Sequence, residues 1–195
     1  MPGNVENIRP YGSSAGREHP EHFKRPDSLT LDIHGHIMTE GVDEEVRKHV
    51  PANTLDAVKY ASPLTREISK KQNEDRHEEL VGVTKRLADM DKMCVDVMAI
   101  SPQPPQMHYA APDALGQETA QKVNDNIARA VSEAPDRLIG LGTVPLQNTD
   151  MALKELDRLT NDLGFKGIQI GAQIDKDELS AERLEPFWAK CSEME

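Results

Sequence analysis

The sequence is poor in aromatic residues and in cysteine, and it lacks any long hydrophobic run. Aromatic residues make up 4% of the 195 residues, and the only cysteines are Cys94 and Cys191. These two lie far apart and form no CxxC pair, so we expect free thiols rather than disulfides or a thiolate metal site. No apolar segment approaches the ~20 residues that span a bilayer, and the first residues lack the apolar centre of a secretory signal. We therefore expect a cytoplasmic protein with no membrane segment.

Positive charge is also scarce. Lys and Arg number 23 against 34 Asp and Glu, which gives a net charge of −11. This excess of negative charge repels phosphate backbones and anionic lipids, and no local basic patch offsets it. The glycine-rich motifs GxGxxG and GxxxxGK[ST], which hold nucleotide phosphates, are missing as well. The composition thus argues against nucleic-acid partners, and no motif supports nucleotide binding.

Short apolar strand patterns alternate with helical patterns along most of the chain. Residues 1–28 are rich in Pro, Gly and charge without periodicity, so we expect an extended or disordered arm before a single domain at 29–195. The predicted strands are 29–34, 95–100, 138–145 and 167–170. Helical spacing of apolar residues predicts one helix late in the polar segment 41–92, carried by Leu80, Val83, Thr84, Leu87 and Met90. Further helices are predicted at 112–134, 150–163 and 181–194.

This alternation is typical of an α/β fold in which helices cover parallel strands. Four βα units do not close a sheet, and two architectures satisfy the count. One is an open doubly wound sheet, and the other is the N-terminal half of a TIM-type (β/α)8 barrel. The pattern alone leaves both open, although the missing phosphate-binding loop disfavours an open-sheet binding module.

A histidine pair ends the first predicted strand. His34 and His36 are two residues apart, so in an extended strand both imidazoles point to the same side and can face one divalent metal ion. Asp32 points the same way and is placed to orient a histidine through its second ring nitrogen. An HxH tripeptide also occurs by chance, but its position favours ligation, because barrel enzymes carry their catalytic groups at the carboxyl ends of strands.

Several blocks resemble one enzyme family in order and spacing. These are LDIHGHI, RLADMDKMCVDVMAIS, and LIGLGTVP followed by LKELDRLTNDLGFKGIQIG. They are similar to the amidohydrolase-related metal-dependent decarboxylases, in particular to aminocarboxymuconate semialdehyde decarboxylases and enzymes of resorcylate-type acids, over residues 29–195. The resemblance implies the N-terminal half of a (β/α)8 barrel in which His34 and His36 bind one divalent metal, with zinc favoured and manganese as the alternative. It places the other ligands and the catalytic acid/base downstream of Glu195, so no catalytic residue is expected within this chain.

The resemblance also implies contacts to a small carboxylate substrate. Arg66 is a candidate cationic clamp because relatives use an arginine from that region, and the alternative is a solvated arginine in a charged stretch. Tyr109 is a candidate substrate contact in the Pro-rich loop after the second strand, where relatives carry aromatic residues. The neighbouring His108 is expected at the surface.

The expected function is decarboxylation, a carbon–carbon lyase reaction, of a small unsaturated or aromatic carboxylic acid. The alternatives are a metal-dependent hydrolase of the same fold and a truncated, non-catalytic half-barrel. With only two protein ligands we expect the 195-residue chain itself to be poorly active. Relatives are often dimers, so a homodimer is one candidate assembly.

Overall fold

The computed structural model describes residues 27–51 and 61–194, so the predicted arm at 1–28 lies almost wholly outside the described residues. The strands are β1 Leu31–Ile37, β2 Val97–Pro102, β3 Leu138–Gly142, β4 Gly167–Ile168, β5 Gln173–Ile174 and β6 Asp177–Glu178. The α-helices are α1 Val42–His49, α2 Pro63–Asp75, α3 His77–Val81, α4 Val83–Lys92, α5 Asp113–Glu133, α6 Thr149–Asn161 and α7 Glu185–Glu193. Two 3₁₀ turns, Pro104–Met107 and Glu182–Leu184, complete the described elements.

The first four strands form one parallel sheet in the order β1-β2-β3-β4. Helix α4 leads into β2, α5 joins β2 to β3, and α6 joins β3 to β4. The prediction of an α/β fold with parallel strands and crossover helices is confirmed. Strands β5 and β6 form a separate short antiparallel hairpin that was not predicted. In the described part of the chain, no helix is both long enough and apolar enough to cross a membrane.

The core lies between the sheet and its helices. Ile100 of β2 and Leu138 of β3 are buried, and Val123 and Ile127 of α5 are fully buried against them, as their helical spacing predicts. Burying a side chain of this size stabilises the fold by about 1.5–3 kcal/mol. Both cysteines are free thiols in this structure.

A buried polar network fixes the helices at the end of β3. The side-chain amide of Asn124 on α5 donates to the carbonyl oxygen of Thr143 (2.9 Å) and to Glu155 on α6 (2.7 Å). Its carbonyl oxygen accepts from the backbone N–H of Thr143 (2.9 Å). Arg158 in turn pairs with Glu155 (2.8 Å), so the buried carboxylate is compensated. The network ties α5, α6 and the carboxyl end of β3 together.

The segment before β2 contains more helix than its sequence pattern predicts. The single helix expected through Leu80 and Met90 is wrong, because Gly82 has extended backbone angles (φ −88°, ψ 140°) and separates α3 from α4. Helices α1 and α2 were not predicted. Helix α2 begins with a capping signal, since the Ser62 hydroxyl accepts from the Thr65 amide (3.1 Å) and Pro63 occupies the first turn.

Strand β1 lies at an edge of the sheet and exposes apolar side chains. Ile33 is 71% exposed and Leu31 is 46% exposed, and Leu29, which precedes the strand, is 71% exposed. Within residues 27–51 and 61–194, β1 pairs with β2 alone. The alternation of apolar and polar residues along this strand was predicted from the sequence. The apolar side chains of Leu31 and Ile33 are nevertheless exposed rather than buried.

Candidate metal centre

The two imidazoles of β1 lie against each other. The ring centroids of His34 and His36 are 4.8 Å apart, with an angle of 79° between the ring planes. His34 is exposed and His36 is half-buried. The β1–β2 register shifts between Asp32 and Gly35, so three steps along β1 match two along β2. Such a bulge re-aims side chains, and here it contains His34 and lies directly before His36.

The ring of His36 is held from one side. Its Nδ1 lies 3.0 Å from the carbonyl oxygen of Pro102 and 3.1 Å from Ser101 Oγ, and that hydroxyl donates to the carbonyl oxygen of Gly35 (3.0 Å). A carbonyl oxygen only accepts, so this pattern assigns the proton to Nδ1. The lone pair then lies on Nε2. A backbone carbonyl bound to the other ring nitrogen is the usual way in which proteins orient a metal-binding histidine.

The electrostatic environment keeps His36 neutral. Burial is the largest cause that lowers the pKa of His36, and the neighbouring His34 and Arg86 lower it further, against the opposite effect of the Pro102 carbonyl. Neutral imidazole is the form that binds metal ions. A lowered pKa therefore keeps the ligand form available to a lower pH.

The chemistry of these donors fits part of a divalent metal site. Across residues 27–51 and 61–194, no group of three or more His, Cys, Asp or Glu side chains is arranged to hold a metal ion. The chain supplies two imidazoles from one rigid strand, a suitable but incomplete donor set for a first-row cation. The predicted role of Asp32 is wrong in detail, because its carboxylate accepts from the backbone N–H of His34 (3.0 Å), whereas Pro102 and Ser101 orient the His36 ring.

Close packing behind the pair explains the glycine between the histidines. A Cβ at Gly35 would lie 2.6 Å from Met98 Sδ, so the thioether of β2 occupies the space of a side chain. Arg86 on α4 is also buried there, and it donates to the carbonyl oxygen of His36 (2.6 Å). Neither Arg86 nor Ser101 was singled out from the sequence. The available signal was a charged residue, Arg86, on the apolar face of a predicted helix.

The two predicted substrate contacts, Arg66 and Tyr109, differ in exposure. Arg66 is exposed in the first turn of α2. Tyr109 is buried, its hydroxyl accepts from the backbone N–H of Gly171 (3.2 Å) in the loop after β4, and burial raises its pKa. The expectation that His108 is exposed is wrong, because it is 7% exposed and its Nε2 lies 3.1 Å from the Asp43 carboxylate. The roles of Arg66 and Tyr109 in substrate binding stay predictions.

A cavity of about 690 Å³ lies beside the loops that follow the strands. Tyr109, Gln147 and Arg183 contribute to its wall, whereas neither His34 nor His36 does. Of the two cationic side chains in its wall, Lys176 and Arg183, the second is already engaged, since Arg183 bonds the Asp177 carboxylate (2.6 Å) and the Leu146 carbonyl oxygen (2.7 Å). The cavity therefore lies apart from the candidate metal centre, and we assign no function to it.

Comparisons with known proteins identify the relatives of this chain. A family model described as Amidohydrolase matches residues 31–195. A 2-amino-3-carboxymuconate-6-semialdehyde decarboxylase from Dictyostelium discoideum is 36% identical over 109 residues, which are 56% of this chain and 30% of that protein. A gamma-resorcylate decarboxylase from Polaromonas is 31% identical over 53% of this chain and 34% of that protein. The chain thus aligns with about a third of the length of these curated relatives.

Solved structures give the same fold. A 5-carboxyvanillate decarboxylase from Novosphingobium aromaticivorans, with bound manganese, superposes with a TM-score of 0.70 and 24% identity over 86% of this chain and 49% of that one. A 2,6-dihydroxybenzoate decarboxylase from Rhizobium superposes with a TM-score of 0.61 and 25% identity over 85% of this chain and 47% of that one. The prediction of half a (β/α)8 barrel, rather than an open doubly wound sheet, is confirmed. With a family model that covers residues 31–195, the chain belongs to the amidohydrolase family.

Proposed function

We propose that this chain carries the metal-binding first half of a decarboxylase site for small unsaturated or aromatic carboxylic acids. The observation that carries the proposal is the His34–His36 pair, whose rings lie 4.8 Å apart on one strand with His36 Nδ1 directed to a carbonyl oxygen. The names of the relatives support the reaction class, since each quoted above is a decarboxylase. Hydrolysis on the same fold is the alternative chemistry.

The cation is proposed to be divalent, and manganese is the first to test. The resemblance stated above favours zinc, but two solved relatives carry manganese, the Novosphingobium enzyme and a dihydroxybenzoic acid decarboxylase from Polaromonas. His34 and His36 would hold the ion, which when bound polarises an oxygen of the substrate. Two imidazoles leave open positions, so binding to this chain alone should be weak.

The chain's other residues would bind and orient the substrate. The Tyr109 phenol keeps its proton at neutral pH, and burial raises its pKa further; in this structure the hydroxyl donates to Met107 Sδ (3.7 Å), a weak contact that a substrate oxygen would replace. Arg66 supplies a fixed positive charge, which suits a carboxylate. Both assignments rest on the resemblance to the decarboxylases, and that of Tyr109 also on its position in the loop after β2.

Metal binding tests the proposal directly. Isothermal titration of Mn²⁺ and of Zn²⁺ into the metal-free chain should show one weak site, and His34→Ala and His36→Ala should each lower the affinity at least tenfold. His77→Ala is the matched control, because His77 is an exposed histidine on α3 that pairs with Glu40 (3.2 Å). Equal loss in the control variant, or no measurable site in the unmodified chain, would count against the proposal.

A non-catalytic half-barrel is the second candidate. It is favoured by the exposed apolar side chains of β1 and by a donor set of two imidazoles. Release of CO₂ from γ-resorcylate, followed for the 195-residue chain with Mn²⁺ present, tests this candidate, and the metal titration above separates the two candidates when turnover is low. We expect little turnover by this chain, and a rate near that of complete relatives would exclude the second candidate.

A further inference from the structure

A buried guanidinium lies behind the histidine pair. Arg86 on α4 is 9% exposed, and its Nη2 donates to the carbonyl oxygen of His36 (2.6 Å) and to that of Glu79 on α3 (3.1 Å). Its Nη1 lies 3.5 Å from Met98 Sδ on β2. One side chain therefore joins both strands that build the metal centre to the helices that cover them.

Burying this cation is costly. Desolvation lowers the pKa of Arg86, and the negative charge of Asp32 offsets this only in part. Among the described residues, the buried Nε has no hydrogen-bond partner. The hydrogen bonds that Arg86 makes go to carbonyl oxygens and a thioether. The shortest of them, to His36, is charge-assisted and offsets part of the cost.

The contact acts on the residue that the metal centre needs to be rigid. His36 is held at two points, its own carbonyl oxygen by Arg86 and its ring nitrogen by Pro102 and Ser101. The bulge between Asp32 and Gly35 breaks the regular ladder just before it. A strand that is irregular at this point needs contacts from outside the ladder to fix its direction.

We propose that Arg86 is a positioning residue of the metal centre, which fixes the backbone of His36 and thereby the angle between the two imidazoles. The inference rests on the proposed function, in which those imidazoles bind a divalent cation. The direction in which metal affinity changes when Arg86 is removed tests this role, because the positive charge of Arg86 by itself repels a cation. Removing Arg86 should weaken metal binding if its role is positional, and strengthen it if charge is all that matters.

The experiment compares two arginines that bond strand backbone at opposite ends of the sheet. Arg86→Gln removes the first, and Arg137→Gln removes the control, which bonds the carbonyl oxygens of Asp96 (2.6 Å) and Val95 (3.1 Å) at the amino end of β2. Titration with Mn²⁺ should give about a tenfold higher Kd for Arg86→Gln, as for other residues that orient metal ligands. The Kd of Arg137→Gln should stay within twofold of the unmodified chain.

Unfolding in urea shows whether each variant folds, and ¹⁵N NMR of the imidazoles reports on the ring of His36. In the metal-free protein, Arg86→Gln should shift the His36 ring nitrogens, while Arg137→Gln leaves them unchanged. Where Arg86→Gln does not fold, Arg86→Lys, which keeps the charge and can reach one carbonyl, should still weaken binding more than threefold. An unchanged or lower Kd with unchanged ring shifts overturns the inference. A chain that binds no Mn²⁺ yet shows the ring shifts sinks the proposed function and leaves Arg86 as the residue that positions His36.

Discussion

Replacing Gly35 by alanine tests whether packing behind the histidines sets their geometry. A Cβ at this position would lie 2.6 Å from Met98 Sδ, 2.9 Å from Met98 Cγ and 3.1 Å from the carbonyl oxygen of Ala99. Met98 is 6% exposed and its sulfur also contacts Arg86 (3.5 Å), so it has little room to move. The alanine methyl must therefore displace either the methionine or β1 itself.

The size of the effect follows from two opposing contributions. Overpacking a well-packed core costs about 1–3 kcal/mol. Alanine also restricts the unfolded chain, which returns about 0.4–1 kcal/mol. We expect Gly35→Ala to lower the free energy of unfolding by about 1–2 kcal/mol, the difference of these contributions. Met98→Ala opens a cavity and should cost about 2–5 kcal/mol.

A double-mutant cycle isolates the contact. In the variant with both substitutions, the alanine methyl at Gly35 enters the space that Met98 leaves. The loss measured by urea unfolding, followed by circular dichroism, should then be about 1–2 kcal/mol smaller than the sum of the single losses. Additive losses, or a loss below about 0.5 kcal/mol for Gly35→Ala alone, would refute the packing argument.

Three further substitutions test other parts of the fold. Ser101→Ala removes a buried hydroxyl that bonds the β1 backbone, so we expect a loss of about 1 kcal/mol in unfolding free energy and weaker Mn²⁺ binding. Equal effects of the exposed Ser132→Ala would contradict this. Ile33→Lys should reduce self-association of the chain in size-exclusion chromatography with light scattering, because Ile33 is 71% exposed; a monomeric unmodified chain at all concentrations would contradict it. Asn124→Ala leaves buried backbone groups without partners and should cost about 3 kcal/mol in urea unfolding, against less than about 0.5 for the exposed Asn161→Ala.

The elements with strong periodicity could be predicted from sequence. Helix α5 was expected at 112–134 and is Asp113–Glu133, and β2 was expected at 95–100 and is Val97–Pro102. In α5 the buried residues recur at helical spacing, and in β2 residues 98–102 are buried without a break, as a short apolar run predicts for a strand covered on both faces. The short helices before β2 lack such a stripe, since α2 has no buried residue and α1 buries only Val42 and Val46. Their signals are caps and end charges, which a search for apolar spacing does not detect.

The candidate metal centre was likewise predictable from the sequence only in part. The pairing of His34 and His36 could be predicted because it depends only on two residues in one strand. The contacts that orient His36 come from residues 50 to 66 positions away, Arg86 and Pro102, and no local pattern encodes them. The burial of His108 was missed for a related reason, because its partner Asp43 lies on α1, a helix that was itself not predicted.

The orientation of His36 is set within the first two strands and the helices between them. Every contact described above that directs His36 comes from β1, α4 or β2. The His36 imidazole is thus held in place in this structure, so under the proposed function metal binding would cost it little entropy. The number of donors would then limit the affinity more than their geometry, because the two imidazoles found among the described residues leave the remaining positions to water. A variant that loosens His36 should weaken even this partial site, which is why Arg86 and Gly35 are the informative positions to change.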